Sequence, residues 1–164
     1  MSNQFLADGI APLPEFLEQG VHVGLGTDGA ASNNALDMFE VMKNTILLQR
    51  SHRLRSDVLD AVQTLEMATI MGAKSLGIGG ITGSLEQGKK ADLLLLVLDS
   101  PRMIPCYSVY SNLVYSASSD IVHTVIINGK IVAENGKCTS IDREGVLREA
   151  RTIEKVFKKK LGLQ

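Results

Sequence analysis

An α/β fold is predicted by three features of this 164-residue chain. A short alternating run, Val21 to Leu25, lies between helical segments; the apolar period changes from helical to extended after Gly80; and an Asn128-Gly129 pair joins two β-rich runs. These changes divide the chain into residues 1–80, mixed helix and strand, residues 81–141, a small β-layer, and residues 142–164, a closing helix.

Pro12 to Gln19 reads as a short helix stopped by Gly20, and it leads into the Val21–Leu25 strand. Helix followed by strand is one step of an α/β barrel or a layered sheet. Val21, Val23 and Leu25 alternate with His22, Gly24 and Gly26, so Asp28 falls just past the strand's carboxyl end. Asn34 is the expected cap of a helix whose Ala35, Met38, Phe39, Met42 and Ile46 share one face. That stripe reads as core rather than as a cofactor box. A second helical region carries Val58, Ala61, Val62, Leu65 and Ala68, is expected to break near Thr64, and ends at Gly77-Ile78-Gly79-Gly80. Leu93 to Leu98 reads as a buried strand and Val122 to Ile127 as another. Asn128-Gly129 is the two-residue turn that joins antiparallel strands, so Val125-Ile126-Ile127 should pair with Lys130-Ile131-Val132, and Asn135-Gly136 repeats the signal. From Asp142 onward Val146, Leu147, Ala150, Ile153, Phe157 and Leu161 recur on one helical face.

Composition excludes several classes. Seventeen basic and eighteen acidic residues leave a net charge of −1, so no basic surface calls for nucleic acid. Lys158-Lys159-Lys160 closes the last helix, where cations suit the negative end of the dipole. The run Leu93 to Leu98 is too short to span a bilayer, and no charged region and apolar core follow Met1, which makes the cytoplasm the default location. Cys106 and Cys138 lack CxxC spacing; both read as reduced thiols rather than a disulfide framework or zinc knuckle.

Chemistry concentrates at Asp28. A carboxylate at a strand's carboxyl end can bind a metal, take a proton from bound water or hold a cation. Gly24-Leu25-Gly26-Thr27-Asp28-Gly29 also fits G-x-G-x-x-G, but that fingerprint needs a helix starting within the glycines and an acidic strand end about twenty residues later. Helical spacing starts only near Asn34, Leu47 to Arg53 has no strand character, and Asp28 would face a pyrophosphate with like charge. A plain turn-capping aspartate is the remaining alternative.

Four segments occur in the order seen in amidohydrolases: Gly26-Thr27-Asp28-Gly29, Ala68 to Gly77, Gly83-Ser84-Leu85-Glu86-Gln87-Gly88-Lys89-Lys90-Ala91-Asp92-Leu93, and Ile126-Ile127-Asn128-Gly129-Lys130. With the run Gly26 to Asn34, the chain most resembles the 5-methylthioadenosine/S-adenosylhomocysteine deaminases and their guanine deaminase and triazine hydrolase relatives. Ser2-Asn3-x-x-Leu6-x-x-Gly9 is similar to the loop before the last barrel strand of that branch.

The resemblance implies an α/β fold, namely the carboxyl-terminal fragment of a metal-dependent (β/α)8 barrel plus part of a small β-sandwich. It implies zinc or another divalent metal in the complete enzyme, bound by a His-x-His pair, two further histidines and the eighth-strand aspartate. His22, His52 and His123 lack ligand spacing, and His22 and His123, each in a strand, read as packing or surface residues, so this chain alone is expected not to retain the metal. Asp28 matches the aspartate, whose implied role is metal ligand and acceptor of the attacking water's proton. Thr27, Ser32 and Asn33 are candidates for orienting Asp28 or the loop above it, and Ser2 and Asn3 for facing the same cleft; simple turn hydrogen bonding is the alternative for all five. Asp92 is assigned a structural role. The implied reaction is hydrolytic deamination of a purine nucleoside thioether such as S-adenosylhomocysteine or 5-methylthioadenosine. Guanine deamination, triazine chlorohydrolysis and a non-catalytic oligomerisation module are the alternatives. The expected partners are a small nucleoside or heterocycle and either a second copy or the amino-terminal part of the enzyme. The isolated chain is expected to release no ammonia.

Overall fold

Helices fill the first half of the chain: α1 (Ser2–Leu6), α2 (Leu13–Glu18), α3 (Ala30–Asn33), α4 (Met38–Arg53), α5 (Ala61–Ala68) and α6 (Ile70–Ser75). The computed structural model describes residues 1–163; Gln164, at the end of the expected 142–164 helix, lies outside the described residues. The second half holds an antiparallel sheet of β1 (Leu93–Leu96), β2 (Val122–Ile127), β3 (Lys130–Glu134) and β4 (Lys137–Cys138), in that spatial order. Between β1 and β2, α7 (Val109–Ser111) runs into a π-helical turn over Asn112–Ser116. The helix α8 (Arg143–Leu161) follows the sheet.

The longer helices start where side chains satisfy their first N–H groups. Asp37 accepts from the Phe39 N–H at 2.8 Å to open α4, and Asp60 and Gln63 form a reciprocal capping box on α5 at 2.8 and 3.2 Å. Asp37, not Asn34, therefore caps α4. Asn34 instead closes α3 with φ +63°, a left-handed conformation that Asn tolerates. Phe39, Met42 and Ile46 of α4 are buried against Val58, Met67, Met103, Val114 and Ile121, so the core joins the helical half to the segment before β2. Arg50 reinforces that junction by donating to the Val58 and Leu59 carbonyls at 3.2 and 2.8 Å and lying 5.7 Å from the Tyr115 ring centroid.

The hairpin forms as its turn residues dictate. Asn128 and Gly129 both take positive φ, at 50° and 76°, and Ile127 pairs with Lys130 and Ile126 with Ile131, but a register shift then sets Val125 opposite Ala133 rather than Val132. Asn135 and Gly136 repeat the conformation between β3 and β4. Asp92 fastens the hairpin to the chain before β1, accepting from the Asn128 N–H at 2.6 Å and the Thr82 hydroxyl at 2.8 Å. Those two donors, the backbone one foremost, hold its carboxyl below the usual carboxylate range.

Other expectations are corrected. Residues 21–25 are extended but join no strand ladder, because no neighbouring strand among the described residues lies alongside them. The helical region breaks at Thr69 (φ −129°, ψ −102°), not near Thr64, which is fully buried inside α5 with its hydroxyl bonded to the Asp60 carbonyl at 2.8 Å. Ser2 and Asn3 lie in α1 rather than in a loop. The Leu93–Leu98 strand ends at Leu96, and it is not buried: Leu94 and Leu95 are 49% and 50% exposed, with no layer among the described residues covering them. The apolar stripe of α8 exists, but no α8 side chain is buried, since nothing among the described residues packs across it. No described helix is long and apolar enough to cross a membrane.

A depressed carboxylate stabilises the fold above its unfolded pKa and loses that contribution as pH falls through its folded pKa. Asp92→Asn should therefore lower stability at neutral pH and flatten its decline on acidification, as read from urea midpoints across pH 3–7. Parallel pH profiles for the two chains would contradict the role given to Asp92.

Candidate functional site around Asp28

The segment before Asp28 is positioned by backbone contact rather than by a sheet. A Cβ on Gly24 would lie 3.0 Å from the Gly72 Cα and 3.0 Å from the Ser75 hydroxyl, so the extended chain presses directly onto α6. The next residue, Leu25, donates its N–H to the Met67 carbonyl at 3.0 Å, and Val23 and Leu25 pack on the core. Asp28 has φ +60°, a left-handed conformation uncommon for a non-glycine residue, although aspartate enters it more readily than most.

Several hydrogen bonds define the turn. The Gly29 N–H donates to Asp28 Oδ1 at 2.7 Å, the Thr27 hydroxyl to the Asp28 carbonyl at 3.1 Å, and the Ser32 hydroxyl to the Gly29 carbonyl at 3.2 Å. Asn33 Nδ2 donates to the Thr27 carbonyl at 2.7 Å. Asp28 itself is exposed, and the Gly29 N–H, then the Ser32 and Ser2 hydroxyls, hold its carboxyl below the usual range. It is therefore an ionised, outward-facing carboxylate at neutral pH, able to accept a proton, hold a cation or supply one metal ligand.

Residues 27–33 bring Thr27, Asp28, Ser32 and Asn33 together, and α1 lies against α3, which sets the Ser2 hydroxyl among the groups that lower the Asp28 pKa. The helix is held there by Gln4, whose Oε1 accepts from Asn44 of α4 at 2.7 Å. Asn3 is exposed on α1, its carbonyl accepting from the Asp8 N–H at 2.9 Å, with no hydrogen bond to Asp28. His22 and His52 are exposed, while His123 on β2 places Nδ1 2.8 Å from the Thr124 hydroxyl. Among the described residues no three His, Cys, Asp or Glu side chains are grouped to hold a metal. Zinc takes three or four protein ligands, so Asp28 alone does not fit one. An open, mostly apolar cavity of about 950 Å³ lies beside the 24–26 segment, lined also by Leu65, Gly72, Gly83 and Leu93; Asp28 is not in its wall. Asp37 was not singled out by sequence, yet its second oxygen accepts from the Ser119 N–H at 3.0 Å and ties the start of α4 to the approach to β2. The signal was present, an aspartate immediately before the helical stripe.

Residues 1–132 match the model of the amidohydrolase family. The chain belongs to the amidohydrolase family. Over 150 residues it is 48% identical to the 5-methylthioadenosine/S-adenosylhomocysteine deaminase of Syntrophomonas wolfei, covering 92% of this chain and 35% of that protein. It is also 48% identical over 152 residues to the 5′-deoxyadenosine deaminase of Methanosarcina acetivorans, covering 93% of this chain and 35% of that protein. The crystal structure of an adenosine deaminase from Xanthomonas campestris with bound zinc superposes with a TM-score of 0.91 at 35% identity, over 96% of this chain and 36% of that one. The chain has the amidohydrolase fold of the TIM-barrel superfamily over part of its extent, and it spans about a third of the length of these relatives.

Because Gly24 and Gly72 touch backbone to backbone, Gly24→Val cannot be absorbed by a rotamer change. It should cost about 1–3 kcal/mol in a urea unfolding series, and an unchanged midpoint would show that this contact does not fix the segment.

Proposed function

We propose that this chain is the carboxyl-terminal portion of a metal-dependent (β/α)8-barrel aminohydrolase acting on 5′-modified adenosines such as S-adenosylhomocysteine or 5-methylthioadenosine. In this reading residues 21–26 are the last barrel strand, and residues 81–141 are part of a small β-sandwich. The observation that carries the proposal is the ionised, exposed Asp28 in its left-handed turn. It stands in a chain 48% identical to two deaminases whose names both specify 5′-modified adenosines.

The reaction joins a water oxygen to the amino-bearing ring carbon and breaks the carbon–nitrogen bond, releasing ammonia. Asp28 takes a proton from the water and returns it to the departing nitrogen. An exposed carboxylate is ionised at neutral pH, and the Gly29 N–H, followed by the Ser32 and Ser2 hydroxyls, lowers its pKa further, so Asp28 enters the first of those transfers charged. Thr27 shapes the turn, and Asn3 faces the substrate side of the cleft from α1. Zinc or a similar divalent ion would require ligands from outside these 164 residues, since Asp28 is one carboxylate where three or four ligands are needed. The chain alone is accordingly inactive. Its partner is the remainder of such an enzyme or a second copy, and its location is the cytoplasm.

The test is a chimera in which this chain replaces the matching 35% of the Syntrophomonas wolfei deaminase. The chimera should release ammonia from S-adenosylhomocysteine, and Asp28→Asn should lower kcat by about 10²–10⁴-fold while the protein stays folded. A folded chimera that deaminates no 5′-modified adenosine would overturn the substrate class. Full turnover by the Asp28→Asn form would overturn the residue assignment.

A further inference from the structure

We propose that Asn33 is the positioning residue of the Asp28 turn: its buried side-chain amide grips the Thr27 carbonyl and so keeps Asp28 in the left-handed conformation that faces its carboxylate outward. Left-handed backbone costs energy for any non-glycine residue, less for aspartate than for most, and one that is fixed in place is held there by its surroundings. The other side-chain bonds within residues 27–33 do not over-determine it, and the Ser2 hydroxyl acts on the Asp28 carboxylate rather than on its backbone. Those from Gly29, Thr27 and Ser32 link residues no more than three apart and are exposed, where water competes for each partner.

The Asn33 bond differs in reach and in setting. It spans six residues, from the end of α3 back past Gly29 and Asp28 to Thr27, and Asn33 is only 2% exposed. Water cannot readily replace it. The two ends of its amide also differ: Nδ2 is bonded, whereas Oδ1 is buried with no hydrogen-bond partner among the described residues. Leaving a buried acceptor unpaired is unfavourable, and an apolar residue would avoid it. The asparagine makes sense where the donor half does something an apolar side chain cannot. Its orientation is also determined, because turning the amide over would set Oδ1 against the Thr27 carbonyl oxygen. Asn33 acts through Thr27 on the backbone and does not touch the Asp28 carboxylate, so its effect is on geometry.

The proposal is tested on the whole chain by three-bond couplings that report φ at Asp28, in the native sequence, in Asn33→Ala and in Asn33→Asp. The aspartate keeps the shape of the side chain but removes the donor. Amide signals of β2 and β3 report whether each variant is folded. Both variants should fold and lose the left-handed couplings at Asp28. Retention of those couplings in either folded variant would overturn the proposal, as would collapse of the fold in both, which would make Asn33 a general core residue. The catalytic consequence rests on the proposed function and is read in the chimera: Asn33→Ala should lower kcat about 10²-fold at unchanged KM, the scale of a misplacement of about 1 Å. Unchanged kcat would overturn the catalytic consequence. A native chimera without deaminase activity would count against the proposed function, while the couplings would still decide the role of Asn33.

Discussion

Gly24 and Gly72 meet without side chains between them, and the placement of Asp28 follows from that contact. The close approach lets the extended segment lie on α6, brings the Leu25 N–H to the Met67 carbonyl, and turns Val23 and Leu25 inward onto the core. Anchored there, the chain approaches Thr27 and Asp28 from a fixed point. The break at Thr69 belongs to the same arrangement. It separates α5, whose Met67 is fully buried, from α6, whose Gly72 must face the extended segment. A continuous helix would point those two faces by a single 3.6-residue period and could not serve both.

Around the turn, polar groups set the charge while packing sets the position. The Gly29 N–H and two hydroxyls lower the pKa of Asp28, which is open to solvent. The same device recurs at Asp92, where the Asn128 N–H and the Thr82 hydroxyl hold a carboxylate that joins the hairpin to the rest of the chain. One family signature thus serves the architecture and the other the exposed turn. Apolar surface is distributed differently. The core gathers on α4, α5 and the segment before β2, whereas the stripe of α8 and the outer leucines of β1 remain in water. Single exposed apolar residues are ordinary, but contiguous stripes mark surfaces that bury against something else.

Elements governed by local chemistry were legible in the sequence. Asn128-Gly129 needs positive φ at both residues and specifies its own hairpin, and Asp142 before the 3.6-residue stripe of α8 specifies a helix start. Elements that depend on distant partners were not. Val21 to Leu25 alternates like a strand, yet pairing needs a neighbour that alternation cannot supply. The Leu93 run is as apolar as a buried strand, yet its burial depends on a covering layer. At the site, Asp28 was legible because an apolar run stops at one acidic residue among small polar ones. The approach of Ser2 was foreshadowed only as a residue of the same cleft, since it depends on α1 being tied to α4 through Gln4 and Asn44. The left-handed backbone at Asp28 was not legible, because any non-glycine residue reads as ordinary until its φ is seen.

In the proposed reading Asp28 is one ligand of a metal site that these 164 residues do not complete. Zinc content per chain tests it most directly, measured by elemental analysis on folded protein purified without chelator or affinity-tag metal. The account predicts far less than one zinc per chain, with no difference between the native sequence and Asp28→Ala. Near-stoichiometric zinc that disappears in Asp28→Ala would contradict it and would mean that the chain, alone or as a pair of copies, builds a complete site.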